Sequence, residues 1–202
     1  MKSLRTKLLF FAGASFFAAA LLFSLTNATA LCVEPPVRSQ GARPHTVFRY
    51  RVVGYGPPAA DVCIDRAFLA WNDALTDTTK ILFVPAGPKE AVQVTIFFAD
   101  MAAVTDRPDI AGATIGTMRD ADGYVTGFGI LLSTNPDLIS TCEGYYKVAL
   151  HEIGHGLGLG HPFGTQGTSV MNMLAFTNDE GGNVAMFPTA CDVGQTEAAS
   201  LQ

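Results

Sequence analysis

Residues 151–161 run His151-Glu152-Ile153-Gly154-His155-Gly156-Leu157-Gly158-Leu159-Gly160-His161, and this stretch holds three of the chain's four histidines. Positions four apart lie on one face of an α-helix, so His151 and His155 can direct their imidazoles toward one point. Glu152 can lean over the same point without binding there. Gly158 lets the chain leave the helix, because glycine reaches positive φ at little cost. His161 can then supply a third nitrogen.

Three neutral imidazoles with an open fourth position are typical of a catalytic zinc site rather than a closed structural one. The alternative is a glycine-rich, half-buried helix with incidental histidines. Each glycine costs a helix about 1 kcal/mol relative to alanine, and metal binding could offset that cost because it adds to the folding free energy. We therefore predict one catalytic Zn²⁺ held by His151, His155 and His161, with Glu152 as the catalytic general base.

The pattern H-E-x-x-H-x-x-G-x-x-H resembles the zinc signature of the metzincin metallopeptidases. Ser169-Val170-Met171-Asn172 follows the third histidine by a short loop and resembles the Met-turn of that clan, which implies that Met171 lies beneath the metal. From about residue 46 onward, the order of elements is similar to a matrixin catalytic domain. Pro162, directly after the third histidine, is instead a serralysin-like choice.

The resemblance implies a secreted zinc-dependent endopeptidase that hydrolyses peptide bonds with a zinc-activated water. It also implies that residues 111–118 form an exposed edge strand that binds an extended polypeptide by strand addition. Two other functions remain open: a non-catalytic zinc-bearing module that binds peptides, and a zinc hydrolase of another amide. The intact Glu152 favours an enzyme, because a pure binding module has no need of a carboxylate beside the first ligand.

The first 30 residues have the features of a secretory signal peptide. Lys2, Arg5 and Lys7 precede an uncharged apolar run from Leu8 to Leu25, and residues 28–30 read Ala-Thr-Ala, a small-residue cleavage site. An uncleaved membrane anchor is the alternative. We expect residues 31–202 to form one catalytic domain, secreted to the extracellular space or the periplasm and monomeric.

The negative net charge of the chain argues against nucleic acids and anionic membrane surfaces as partners. The whole chain has 13 basic and 18 acidic residues and a net charge of −5. Cleavage after residue 30 would leave 10 basic residues against the same 18, and a net charge of −8. We therefore expect no nucleic-acid partner, and no membrane association after signal cleavage.

An exported protein with four cysteines is predicted to form two disulfides. Three pairings are open; we favour Cys32–Cys63 and Cys142–Cys191. Alternatively, the Cys32 thiolate could bind the metal as a latency switch, although the surrounding Leu31-Cys32-Val33-Glu34-Pro35 lacks the matrixin pattern for it.

Hydrophobic periodicity predicts an α+β fold with a twisted mixed sheet of about five strands, a backing helix, the zinc helix and a C-terminal helix. We expect the first two strands to be parallel, because a helix lies between them. The predicted strands cover residues 47–54, 80–84, 92–98, 111–118 and 124–133. The backing helix is predicted to begin near residue 61, and the zinc helix is predicted to cover residues 145–158. The last helix is predicted to begin at Asp192.

Asp120 and Asp122, in the turn between the last two strands, could bind Ca²⁺, although solvated turn aspartates are the simpler interpretation.

Overall fold

The computed structural model describes residues 34–162, 168–172 and 185–202. Five strands form one mixed sheet. Their bounds are β1 Val47–Val53, β2 Leu82–Pro85, β3 Val94–Ala99, β4 Gly112–Arg119 and β5 Val125–Ser133. Apolar and polar residues alternate most clearly in β1, where Phe48 and Tyr50 are buried and their neighbours are more exposed.

The spatial order of the strands is β2-β1-β3-β5-β4. β1 is parallel to both β2 and β3, and β3 is parallel to β5, so the predicted parallel pairing of the first two strands is confirmed. β4 runs antiparallel to β5 and lies at one edge of the sheet. The predicted α+β class and five-stranded mixed sheet are therefore confirmed.

Four helices accompany the sheet: α1 Ala60–Leu75, α2 Met101–Val104, α3 Cys142–Gly156 and α4 Ala190–Ser200. The apolar stripe of α1, which includes Ile64, Phe68 and Trp71, is fully buried in the main core. The indole Nε1 of Trp71 donates to the carbonyl oxygen of Leu150 at 2.9 Å. This hydrogen bond links the backing helix to the turn of α3 that precedes His151.

Two helix starts differ from the sequence-based prediction. α3 begins three residues early, at Cys142, because the Thr141 hydroxyl accepts from the backbone N–H of Gly144. α4 begins at Ala190 rather than Asp192, because Thr189 is the N-cap and forms a reciprocal capping box with Asp192. Asp192 is therefore in the first turn of this helix, and its carboxylate accepts from the N-cap backbone.

The predicted disulfide pairing is wrong. Cys63 of α1 is bonded to Cys142 at the start of α3, with their Cα atoms 5.5 Å apart. The pairing follows from packing, because the buried face of α1, which includes Cys63, lies against α3 and faces the first turn of that helix. Cys191 also takes part in a disulfide. Cys32, and with it the alternative of a latency switch, lies outside the described residues.

Within the described ranges, no helix has both the length and the apolar composition that a membrane span requires. The predicted signal peptide, residues 1–30, lies outside these ranges, and the division of the chain at residue 30 stays a prediction.

Candidate metal centre

Helix α3 and the segment after it bring three imidazoles together. His151 and His155 are on one face of the helix, and their Nε2 atoms each lie 3.0 Å from the Nε2 atom of His161. The chain turns toward His161 at Gly158, where φ is +98°. The ligand nitrogens all lie within 4.8 Å of one another, so the three histidines could hold a metal ion.

The second ring nitrogens define the tautomers of the two helical histidines. The Nδ1 atom of His151 lies 2.8 Å from the carbonyl oxygen of Val170, and that of His155 lies 2.8 Å from the carbonyl oxygen of Leu159. A carbonyl oxygen only accepts, so each Nδ1 must carry the proton. In a neutral imidazole, Nε2 then has a lone pair and no proton. The lone pairs therefore converge, as a set of metal ligands requires.

Burial keeps the three imidazoles neutral. It lowers the pKa of His151 well below its usual value, with a further contribution from the nearby His155. Burial also lowers the pKa of His155, and the positive charge of Arg38 lowers it further. The pKa of His161 is lowered to about 4 by burial, by His155 and by Arg38.

Glu152 lies beside the three histidines, with only 5% of its surface exposed. Burial raises the pKa of its carboxyl to about 7, while hydrogen bonds with Thr114 oppose the rise. The Thr114 hydroxyl of β4 lies 2.7 Å from both the carboxylate Oε2 and the backbone carbonyl oxygen of Glu152. Thr114 was missed by the sequence analysis, because nothing local places this strand residue beside the helix.

Met171 is fully buried and lies directly under the helix. A Cβ atom added at Gly154 would be 2.3 Å from the Met171 Sδ, so the absence of a side chain at Gly154 makes room for the methionine. The residue before it, Val170, supplies the carbonyl that binds His151. The turn predicted from its sequence therefore lies beneath the first histidine.

A buried carboxylate that the sequence analysis did not assign to the site supports this turn. Asp192 of α4 accepts from the Ser169 hydroxyl at 2.6 Å and from the backbone N–H of Val170 at 3.3 Å. Asp192 has no exposed surface. The pattern Thr189-x-x-Asp192 could have indicated its capping role, but only the tertiary fold places it beside Val170.

The three histidines open onto a cleft of about 620 Å³. Residues 111–114, at the start of the edge strand β4, line one side of the cleft, and residues 38–39 line another part of it. Neither Asp120 nor Asp122 contributes to this cleft. Both carboxylates bind the guanidinium of Arg43, at 3.1 Å for Asp120, so the two aspartates that could bind Ca²⁺ share one arginine of the chain as their partner.

Comparisons with known proteins identify no family. No family model matches the chain, and no curated protein matches it. Among solved structures, 116 chains match. One, titled "Structure of Myroilysin", is 17% identical with a TM-score of 0.40, and the match covers 62% of this chain and 46% of that one. The chain thus spans less than half of that protein. So weak a likeness assigns no activity, and membership of the metzincin clan stays a prediction.

Replacing Gly154 by alanine tests the packing beneath the helix. Alanine normally favours a helix by about 1 kcal/mol over glycine. Here the added Cβ would overlap the Met171 Sδ, so we expect a net loss of about 1–3 kcal/mol of unfolding free energy. The control is Gly194→Ala in α4, where no atom lies within 4 Å of the new Cβ. Urea unfolding should show that the control is unchanged or stabilised; a Gly154→Ala protein at least as stable as the parent would refute this packing.

The lowered histidine pKa values predict how metal binding depends on pH. Protons compete with the metal for the same lone pairs, so ligands with depressed pKa values stay available at lower pH. Affinity for a divalent ion should therefore persist below the ordinary imidazole pKa of 6.5 and fall steeply only as pH approaches about 4, where His161 becomes protonated. Competition with a chromophoric chelator across this range measures it. A fall in affinity centred at 6.5 would contradict the effect of burial.

Proposed function

We propose that the chain is a zinc-dependent endopeptidase, with His151, His155 and His161 as metal ligands and Glu152 as the general base. The observation that carries this proposal is the buried Glu152 carboxylate beside three converging Nε2 atoms, in a cleft lined by an edge strand. Neither a structural metal site nor a simple peptide-binding surface requires a carboxyl group in that position.

Zinc fits the donor set. A tetrahedral zinc with bonds of about 2.0–2.1 Å to nitrogen separates its ligands by roughly 3.3 Å, and the closest Nε2 pairs here are 3.0 Å apart. A set of three neutral imidazoles with an open position suits this ion well. When bound, zinc would acidify a water molecule and polarise the carbonyl group of a substrate.

Glu152 is suited to move a proton near neutral pH. A carboxyl group with a pKa of about 7 can both accept and return a proton at little cost. We assign it to take a proton from the attacking water and to pass it to the leaving amine. Amide hydrolysis needs both transfers, because an amine leaves readily only after it has been protonated.

Thr114 holds Glu152 in place through these transfers. Its hydroxyl has one proton, so it donates to only one of the two Glu152 oxygens that lie 2.7 Å away. While the carboxyl is ionised, the hydroxyl can donate to Oε2. Once the carboxyl is protonated, the hydroxyl can accept from Oε2 and donate to the backbone carbonyl instead. Thr114 thus acts as a positioning residue for the base.

The edge strand supplies the place for an extended substrate. β4 pairs with β5 on one side, and no other strand of the described chain pairs with its opposite side. A peptide that adds to this edge would form backbone hydrogen bonds beside Glu152. Thr114 of this strand donates to the Glu152 carboxylate, and a Cβ atom added at Gly112 would be 3.2 Å from the Glu152 side chain. An unfolded protein or a flexible loop is therefore the expected substrate, hydrolysed by a monomeric enzyme outside the cell.

Glu152→Gln separates catalysis from metal binding. Glutamine keeps the size of the side chain but cannot accept a proton, so kcat against an unfolded protein should fall by roughly 10²–10⁴-fold. KM should change little, since the carboxylate acts chiefly in the transition state. Zinc content should stay at one ion per chain. Mass spectrometry of the products should show internal cuts that a chelator abolishes.

Glu197→Gln is the matched control, because it makes the same chemical change on an exposed part of α4 and should retain full activity. Undiminished turnover by Glu152→Gln would refute the assigned base. If the parent protein binds zinc and peptide but cuts nothing, the non-catalytic binding module becomes the better description.

A further inference from the structure

A short N-terminal segment, residues 36–41, lies along the chain that leads to the third histidine; we call it the strap. Val37 of the strap pairs antiparallel with Leu159. The backbone N–H of Arg38 donates to the carbonyl oxygen of Gly158 at 2.8 Å, and that of Gly160 donates to Pro36 at 2.7 Å. The strap therefore has a fixed position next to the metal centre.

The far part of the strap is fixed to the β4–β5 hairpin. Arg119 at the end of β4 donates to the carbonyl oxygen of Gln40 at 2.7 Å and to the Ser39 hydroxyl at 2.9 Å. The backbone N–H of Val125 donates to the carbonyl oxygen of Gly41 at 2.9 Å. The strap is thus bonded at both ends, and two of its residues, Arg38 and Ser39, line the cleft.

Arg38 is held with its aliphatic stem against Gly160. A Cβ atom added at Gly160 would be 2.5 Å from the Arg38 Cγ and 2.8 Å from its Cδ, so the stem occupies the space that a side chain would fill. Arg38 also lines the same cleft as the three histidines and Glu152.

The guanidinium of Arg38 has no anionic partner in the described part of the chain. The other arginine that lines the cleft, Arg107, is neutralised by a bidentate pair with Asp109, with both N–O distances at 2.9 Å. Arg119 of the hairpin donates to the oxygens of the strap. Of these three arginines, only Arg38 has no hydrogen-bond partner for its guanidinium among the residues that the structure describes, and it lies beside a centre that would itself be positively charged with a metal bound.

We propose that Arg38 forms an anion subsite that binds a carboxylate of the substrate, so that the cleft prefers acidic peptides. This inference rests on the proposed peptidase function and specifies its substrate class. A guanidinium binds a carboxylate through two parallel hydrogen bonds. A carboxylate at this position would also offset the positive charge next to the metal centre. The source of the carboxylate is either an aspartate or glutamate side chain or a free C-terminus.

Peptide binding to the zinc-loaded Glu152→Gln protein tests the subsite, because this host should bind substrates without cutting them. The probes are fluorescent eight-residue peptides that carry a single glutamate at each position in turn, with amidated C-termini. Matched peptides carry glutamine instead, and one neutral peptide has a free C-terminal carboxylate. Anisotropy titrations give the Kd for each, and the two sets of probes distinguish side-chain from C-terminal recognition.

We expect one glutamate position, or the free C-terminus, to tighten binding by about two- to fivefold over the neutral amidated peptide, as for an exposed ion pair. Arg38→Gln should remove this preference, and Arg38→Lys should retain only part of it, because lysine keeps the charge but cannot form the two parallel hydrogen bonds. Arg49→Gln is the control, since it removes an equal charge from a half-exposed arginine of β1 that pairs with Glu90 and should leave the preference intact.

Equal binding of all peptides, a preference that survives Arg38→Gln, or no binding of any peptide would each overturn the proposal. A preference that depends on Arg38, together with a parent protein that cleaves none of the peptides, would instead confirm the subsite and refute only the peptidase activity.

Discussion

Two hydrogen bonds from histidine rings to backbone carbonyls determine the geometry of the metal centre. His151 Nδ1 donates to Val170 and His155 Nδ1 donates to Leu159, each at 2.8 Å. These bonds hold the ring protons on the Nδ1 atoms, away from the candidate metal position, and leave the Nε2 lone pairs facing His161. Both carbonyls belong to residues that follow α3 in the sequence, so the segments after the helix must pack closely against it.

Small residues permit that return. Gly154 leaves room for Met171 beneath the helix, while Gly158 and Gly160 leave room for the strap beside it. Gly154 disfavours the helix by about 1 kcal/mol relative to alanine, yet a side chain at any of these three positions would displace Met171 or the strap. Asp192 then fixes Ser169 and Val170 from the opposite side. The metal centre is thus built by close packing of backbone as much as by its ligands.

Local patterns were enough to predict the candidate ligands and most of the fold. The spacing of His151 and His155 follows helical geometry, and Gly158 indicated the turn that leads to His161. Alternation and turn residues predicted the five strands within a few residues. The features that were missed depend on which elements become neighbours. Thr114 meets Glu152 only because β4 ends up at the edge of the sheet beside α3, 38 residues away in sequence. The Cys63–Cys142 pairing likewise requires knowledge that α1 packs on α3, and the position of Arg38 in the cleft requires knowledge of where the strap lies.

X-ray absorption at the zinc edge tests the central claim, that three imidazoles of one chain form an open metal site. For protein loaded with one equivalent of zinc, we expect three histidine nitrogens at about 2.0–2.1 Å and one further light ligand. A sulfur ligand near 2.3 Å, a shell of oxygens only, or unchanged coordination in His155→Ala would contradict it.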